Sequence, residues 1–123
     1  MKVRIQKNSI RLRLKQPEVI QFQQEGRVSE ILEFGDDAED QLAFTLEVFD
    51  QPGLAVRFIA KTTVIYVPST LAEEWTTSDL VGFDGRVDTG KGRTVDILVE
   101  KDFVCMDGRE EDNVGSYPNP AIK

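Results

Sequence analysis

Six cations open the chain before any acid appears: Lys2, Arg4, Lys7, Arg11, Arg13 and Lys15 all precede Glu18. Arginine presents a planar fork of N–H donors that matches the oxygens of a phosphate or a carboxylate, so Arg4, Arg11 and Arg13 are candidate anion binders. Arg57 and Arg86 extend that set further along the chain. Glu33, Glu47, Asp96 and Glu100 are candidate ligands for a hard divalent cation, Mg²⁺ or Mn²⁺, which takes oxygen donors. The plain alternative is that these charges pair across neighbouring strands of a solvated sheet face. The stretch from Glu30 to Asp50 supplies eight acids and no base, a ready set of partners for the basic start.

Several chemistries are excluded outright. The chain has no histidine. That removes Ser-His-Asp and Cys-His nucleophile pairs, histidine general bases, and nearly all zinc sites. With one cysteine, Cys105, there is no internal disulfide. Beside Phe103 and Val104 it reads as a small buried apolar residue, or as a reactive thiol if its surroundings are electropositive. Asp107, Glu110, Glu111 and Asp112 lack the ligand order of a calcium loop and read as a solvated segment. Gly85, Gly90 and Gly92 are not followed by the Lys-Ser/Thr of a phosphate loop and read as turn glycines.

Elements that would position these residues follow from the apolar spacing. Val3 and Ile5 alternate with Lys2 and Arg4, and Ile10, Leu12 and Leu14 with Ser9, Arg11 and Arg13, which marks two half-buried strands. Lys7-Asn8 is the tight turn between them. Pro17 opens a helix that Gly26 closes, with Val19, Ile20 and Phe22 inward. Val28 to Phe34 and Leu42 to Val48 are strands on either side of an acidic loop. Pro52-Gly53 has type II turn order. Leu54 to Phe58 and Val64 to Val67 form strands joined at Lys61-Thr62. A second helix follows Pro68, capped by Ser69 or Thr70, with Leu71 and Trp75 inward. Val81 to Val87 and Val95 to Val99 complete the set, with a glycine-rich turn from Asp88 to Gly92.

This is an α+β domain: about eight strands in a mostly antiparallel sheet or barrel, with two short helices. A shift of 53 residues carries Val3 onto Val56, Ile5 onto Phe58, Leu12 onto Ile65, Phe22 onto Trp75 and Phe44 onto Ile97. That beat suggests an internal ββαββ duplication, with pseudo-repeats at about 1–50 and 54–103 and an irregular segment at 104–123. At 123 residues the chain is one domain. A net charge of −7 opposes nucleic acid and anionic membranes, which leaves a protein partner or a homo-oligomer as open alternatives. No window approaches the roughly 18 apolar residues of a spanning helix, and Met1 to Lys7 lacks a signal-peptide core. A reducing, cytoplasmic setting fits.

The opening Lys-Val-Arg-Ile-Gln-Lys-Asn-Ser-Ile-Arg-Leu-Arg-Leu resembles a family of small bacterial proteins of unknown function. So do Glu18-Val19, the run Val99 to Cys105, and Glu111-Asp112 with Tyr117-Pro118-Asn119-Pro120. The resemblance spans almost the whole chain and implies no activity. Two functions then compete. One is a non-catalytic accessory or interaction domain, acting through a charged sheet face or the C-terminal segment, with no cofactor. The other is a metal-dependent phosphate-ester or polyphosphate enzyme, in which Arg and Glu side chains line a lumen. The latter is loosely similar to the tunnel-type triphosphatases, but their N-terminal strand alternates glutamates, whereas this one reads Lys2-Val3-Arg4-Ile5-Gln6.

Overall fold

The structure, a computed structural model, describes residues 1–103 and 115–117. In chain order the elements are β1 (Lys2–Gln6), β2 (Ser9–Leu14), α1 (Gln16–Glu25), β3 (Arg27–Glu33), a short 3-10 turn at Ala38–Asp40 and β4 (Gln41–Phe49). Then come β5 (Ala55–Ile59), β6 (Thr62–Pro68), α2 (Ser69–Thr77), β7 (Gly82–Gly90) and β8 (Arg93–Lys101).

Eight strands and two helices make a single α+β domain, as the apolar spacing implies, but the strands do not form one sheet or a closed barrel. They divide into two four-stranded mixed sheets, ordered β1-β2-β8-β7 and β3-β4-β6-β5. Each joins a hairpin from the first half of the chain to one from the second through a central parallel pair, β2 with β8 and β4 with β6. The parallel pairs could not be anticipated, because parallel partners lie far apart in sequence and leave no local turn signal.

The inward faces meet in a core of Ile10, Leu12, Leu14, Ile97 and Val99 from the first sheet and Val28, Leu46, Ile65 and Val67 from the second. The helices close one end. Phe22 of α1 and Trp75 of α2 meet edge to face at 6.0 Å, and Trp75 also meets Phe83 at 5.4 Å. The Trp75 indole N–H donates to the Val81 carbonyl at 3.0 Å, so the largest buried side chain carries no orphaned donor. At the same end the chain returns at residues 115–117, where the Tyr117 N–H donates to the Asp102 carbonyl and the Gln16 N–H to the Gly115 carbonyl.

Turns and caps decide the local geometry. Gly26 ends α1 at φ 72°, its N–H donating to Phe22 O at 2.8 Å, as expected of a glycine C-cap. Lys7-Asn8 is the two-residue turn of the first hairpin, since Gln6 pairs with Ser9. The third hairpin turns one residue earlier than Lys61-Thr62: Ile59 pairs with Thr62, and Ala60 and Lys61 both take positive φ. The last turn is Lys91-Gly92 rather than the whole of Asp88 to Gly92, because β7 carries its pairing on to Gly90 past an irregularity. Neither Ser69 nor Thr70 caps α2. Pro68 holds the cap position and Ser69 is already helical. Ile20 and Val81 lie outward, 50% and 42% exposed, displaced by Phe22 and Phe83 as the buried members of their segments. Gly85 sits in mid-strand beneath Leu54 rather than in a turn.

Candidate functional site

The outward face of the first sheet collects most of the charged candidates. Strand register aligns them in rows: Lys2, Arg13 and Glu100; then Arg4, Arg11, Leu98 and Asp84; then Gln6, Ser9, Asp96 and Arg86. Arg11 and Arg13 stand outside while Leu12 between them is fully buried, so the alternation is obeyed. Above the lower two rows lies an open concavity of about 640 Å³, lined by Arg4, Arg11, Asp84, Arg86 and Asp96 among others.

Most of these charges hold one another. Glu100 accepts from Arg11 Nε at 2.7 Å and from Arg13 Nε at 2.8 Å. Burial disfavours the Glu100 carboxylate, but the hydrogen bonds and charges of Arg13 and Arg11 outweigh it and hold its pKa below the ordinary value. Asp96 accepts from Arg86 Nε at 2.8 Å. These partners come from β8, not from the acidic stretch Glu30–Asp50. Among the described residues, Arg4 and Asp84 have neither an ion pair nor a side-chain hydrogen bond. They sit at opposite ends of one row, a free cation on β1 and a free anion on β7.

The other candidates lie on the second sheet. Arg57 is exposed on β5, Glu33 is exposed near the end of β3, and Glu47 pairs with Arg27 at 3.6 Å. The carboxylates Glu33, Glu47, Asp96 and Glu100 therefore do not converge. Among the described residues no group of three or more His, Cys, Asp and Glu side chains is placed to hold a metal ion. The enclosed lumen expected from a closed sheet is absent for one reason. The two sheets stack with their apolar sides together, which sends the charged sides to opposite exteriors. Cys105, Asp107, Glu110, Glu111 and Asp112 lie outside the described residues.

A second concavity escapes the sequence reading. At the end away from the helices the sheets part into a cleft of about 590 Å³, lined by Ile5, Ile10, Phe44, Val56, Phe58 and Val95 with Lys7, Arg57 and Asp88 at its margin. Ile5 and Phe58 alternate like core residues, yet they are 63% and 68% exposed. Position along the strand, not face, decides this, and the one available signal is that each lies next to a turn.

At the closed end, the Lys101 side chain is buried. It donates from Nζ to the Ser78 carbonyl at 2.8 Å and lies 5.6 Å from the Tyr117 ring centre. Burial lowers its pKa, with the Asp79 charge acting against that. Asp102 is buried too, with Lys2 Nζ 3.1 Å from its Oδ2 in a contact that lacks hydrogen-bond alignment. These groups tie the segment at residues 115–117 to the first sheet.

Fold and site together define a two-sheet α+β domain with a charged, solvent-open sheet face. Residues 1–121 match the family described as "Family of unknown function (DUF7009)", and the chain belongs to it. No curated protein and no solved structure matches the chain. No helix among the described residues is long and apolar enough to cross a membrane.

Proposed function

We propose that this protein is a non-catalytic interaction domain that engages an anionic group of a partner on the outward face of the first sheet. The supporting observation is the row Arg4, Arg11, Leu98, Asp84. Arg11 shares the Glu100 carboxylate with Arg13, whereas Arg4 on the edge strand has its donors unused. An edge arginine with free donors meets a phosphate or carboxylate without first breaking an ion pair, and Arg11 beside it adds field. Asp84 across the row favours a partner that also carries a cation, which disfavours a uniform polyanion such as nucleic acid.

A thermal-shift series with inorganic tripolyphosphate and with a short polyglutamate peptide tests the reading. A ligand at about 100 times its dissociation constant stabilises the native state by about 2.7 kcal/mol. Stabilisation by either probe that is lost in Arg4→Ala supports the proposal. Stabilisation that Arg4→Ala leaves unchanged, or none with either probe, refutes it. Stabilisation that requires Mg²⁺ or Mn²⁺ points to the metal-dependent phosphate chemistry instead.

The same reading takes the domain as a cytoplasmic bacterial protein, in keeping with its single cysteine. It also takes the two halves as a duplication, which three coincident registers support. Under the 53-residue shift, Val3–Leu12 falls on Val56–Ile65, Ile5–Ile10 on Phe58–Thr63, and the parallel pair Leu12–Val99 on Ile65–Leu46.

A further inference from the structure

Eight large apolar side chains are well exposed among the described residues, and six lie toward the end away from the helices: Ile5, Leu32, Phe34 and Phe58 in phase with the inward faces, Ile31 and Ile59 on the outward face of the second sheet. Phe34 is the most open at 74%. Ile5 and Phe58, with the cleft floor of Ile10, Phe44, Val56 and Val95, leave the inter-sheet core uncovered where the helices cover its other end. An uncovered apolar cleft on a small domain marks a contact site, because exposing it to water is unfavourable in proportion to its area.

Charge at the same end is sharply divided. The β3–β4 connection and its flank carry Glu33, Asp36, Asp37, Glu39 and Asp40 with no base. The three other turns are basic: Lys7 between β1 and β2, Lys61 between β5 and β6, and Lys91 with Arg93 between β7 and β8. The Lys61 ammonium donates to the Glu39 carbonyl, so the acidic and basic arcs adjoin. One surface thus carries an apolar centre and both signs of charge at its margin. A twofold, isologous contact needs a surface complementary to itself, and this pattern meets that need when each acidic loop lies over the other copy's basic turns.

We infer that this open end is the interface between two copies of the chain, stacked end to end around the exposed Ile5, Phe34 and Phe58. The surface is independent of the Arg4 row. Four strands about 4.8 Å apart in two sheets about 10 Å apart give a footprint of roughly 20 by 20 Å, smaller than a standard interface. The dimer therefore forms reversibly.

Sedimentation of the full chain over about 1 to 500 µM, spanning the range typical of such small interfaces, reads this directly. The expected result is a mass that doubles across the series, with association weakened at least tenfold by Phe58→Asp and also by raised salt. Phe58 is mostly solvent-exposed, so circular dichroism should show the variant folded. Two charge variants give an orthogonal readout. Asp36→Lys with Glu39→Lys makes the end predominantly basic, and Lys7→Glu with Lys91→Glu makes it predominantly acidic. Each pair alone is expected to be monomeric, and an equimolar mixture dimeric. A monomer at every concentration, a dimer indifferent to Phe58→Asp, or variants whose mixing restores nothing would overturn the inference. A monomer that binds a hydrophobic dye lost in Phe58→Asp would also overturn it, assigning the cleft to a small apolar ligand.

Discussion

Replacing Glu100 by Gln tests the charged face through stability and binding at once. Glu100 is 17% exposed, and its two partners, Arg11 and Arg13, are 31% and 41% exposed. A shielded hydrogen bond to a charged group contributes about 1.5–3 kcal/mol, and an exposed ion pair about 0–1 kcal/mol. Arg13 is more than a third open, so its share is discounted for solvent screening. Together the two contacts then come to about 1–2 kcal/mol, or about 4–8 °C in Tm for a domain of this size. Because the folded pKa of Glu100 is depressed, this stability is present in full above the ordinary glutamate value near 4.3 and is lost as pH falls through the lower folded value. Thermal melts of the wild type and Glu100→Gln should differ most near neutral pH and converge as the pH drops below about 4. Removing the acid also frees two guanidiniums beside Arg4. One unit charge at about 4 Å in water is about 1 kcal/mol, so tripolyphosphate should bind about fivefold more tightly. A deficit that is constant with pH, or no deficit at neutral pH, would refute the account of the face.

Other outcomes follow from the core and the backbone. Trp75→Ala removes the fully buried indole that Phe22 and Phe83 pack against and should cost about 3–5 kcal/mol in a urea melt. Gly82→Ala drives a Cβ into the Val99 carbonyl and the Glu100 backbone, and should cost about 1–3 kcal/mol by overpacking. Leu12→Ala should cost about 2–5 kcal/mol, whereas Arg4→Ala, at an exposed unpaired site, should leave the melting curve within about 0.5 kcal/mol of wild type.

Alternation made much of the fold legible. Leu12 and Leu14 inward with Arg11 and Arg13 outward, the inward placement of Phe22 and Trp75, and the Gly26 cap all follow from spacing and residue type. The cap of α2 was not legible, because Ser69 and Thr70 are both favoured capping types and lie one and two residues inside the true cap at Pro68. The candidate site was legible as a list of arginines but not as a set of partners. Arg11, Arg13 and Glu100 are neighbours only because β2 and β8 run parallel, and no local signal announces a pairing across almost ninety residues.

Period-two patterning and turn chemistry, read from the chain alone, determined which side of each strand is dry, where most turns fall, and how many strands and helices there are. These are local matters of side-chain direction and backbone preference. Tertiary structure alone decided that the strands stack as two sheets, with their apolar sides together, rather than close around a charged lumen. It also decided that Arg4 is free while Arg11 is held, and that Ile5 and Phe58, patterned as core, lie open at the uncovered end. Each depends on which distant strand arrives alongside and on where the helices stop covering the core, and nearest-neighbour spacing encodes neither.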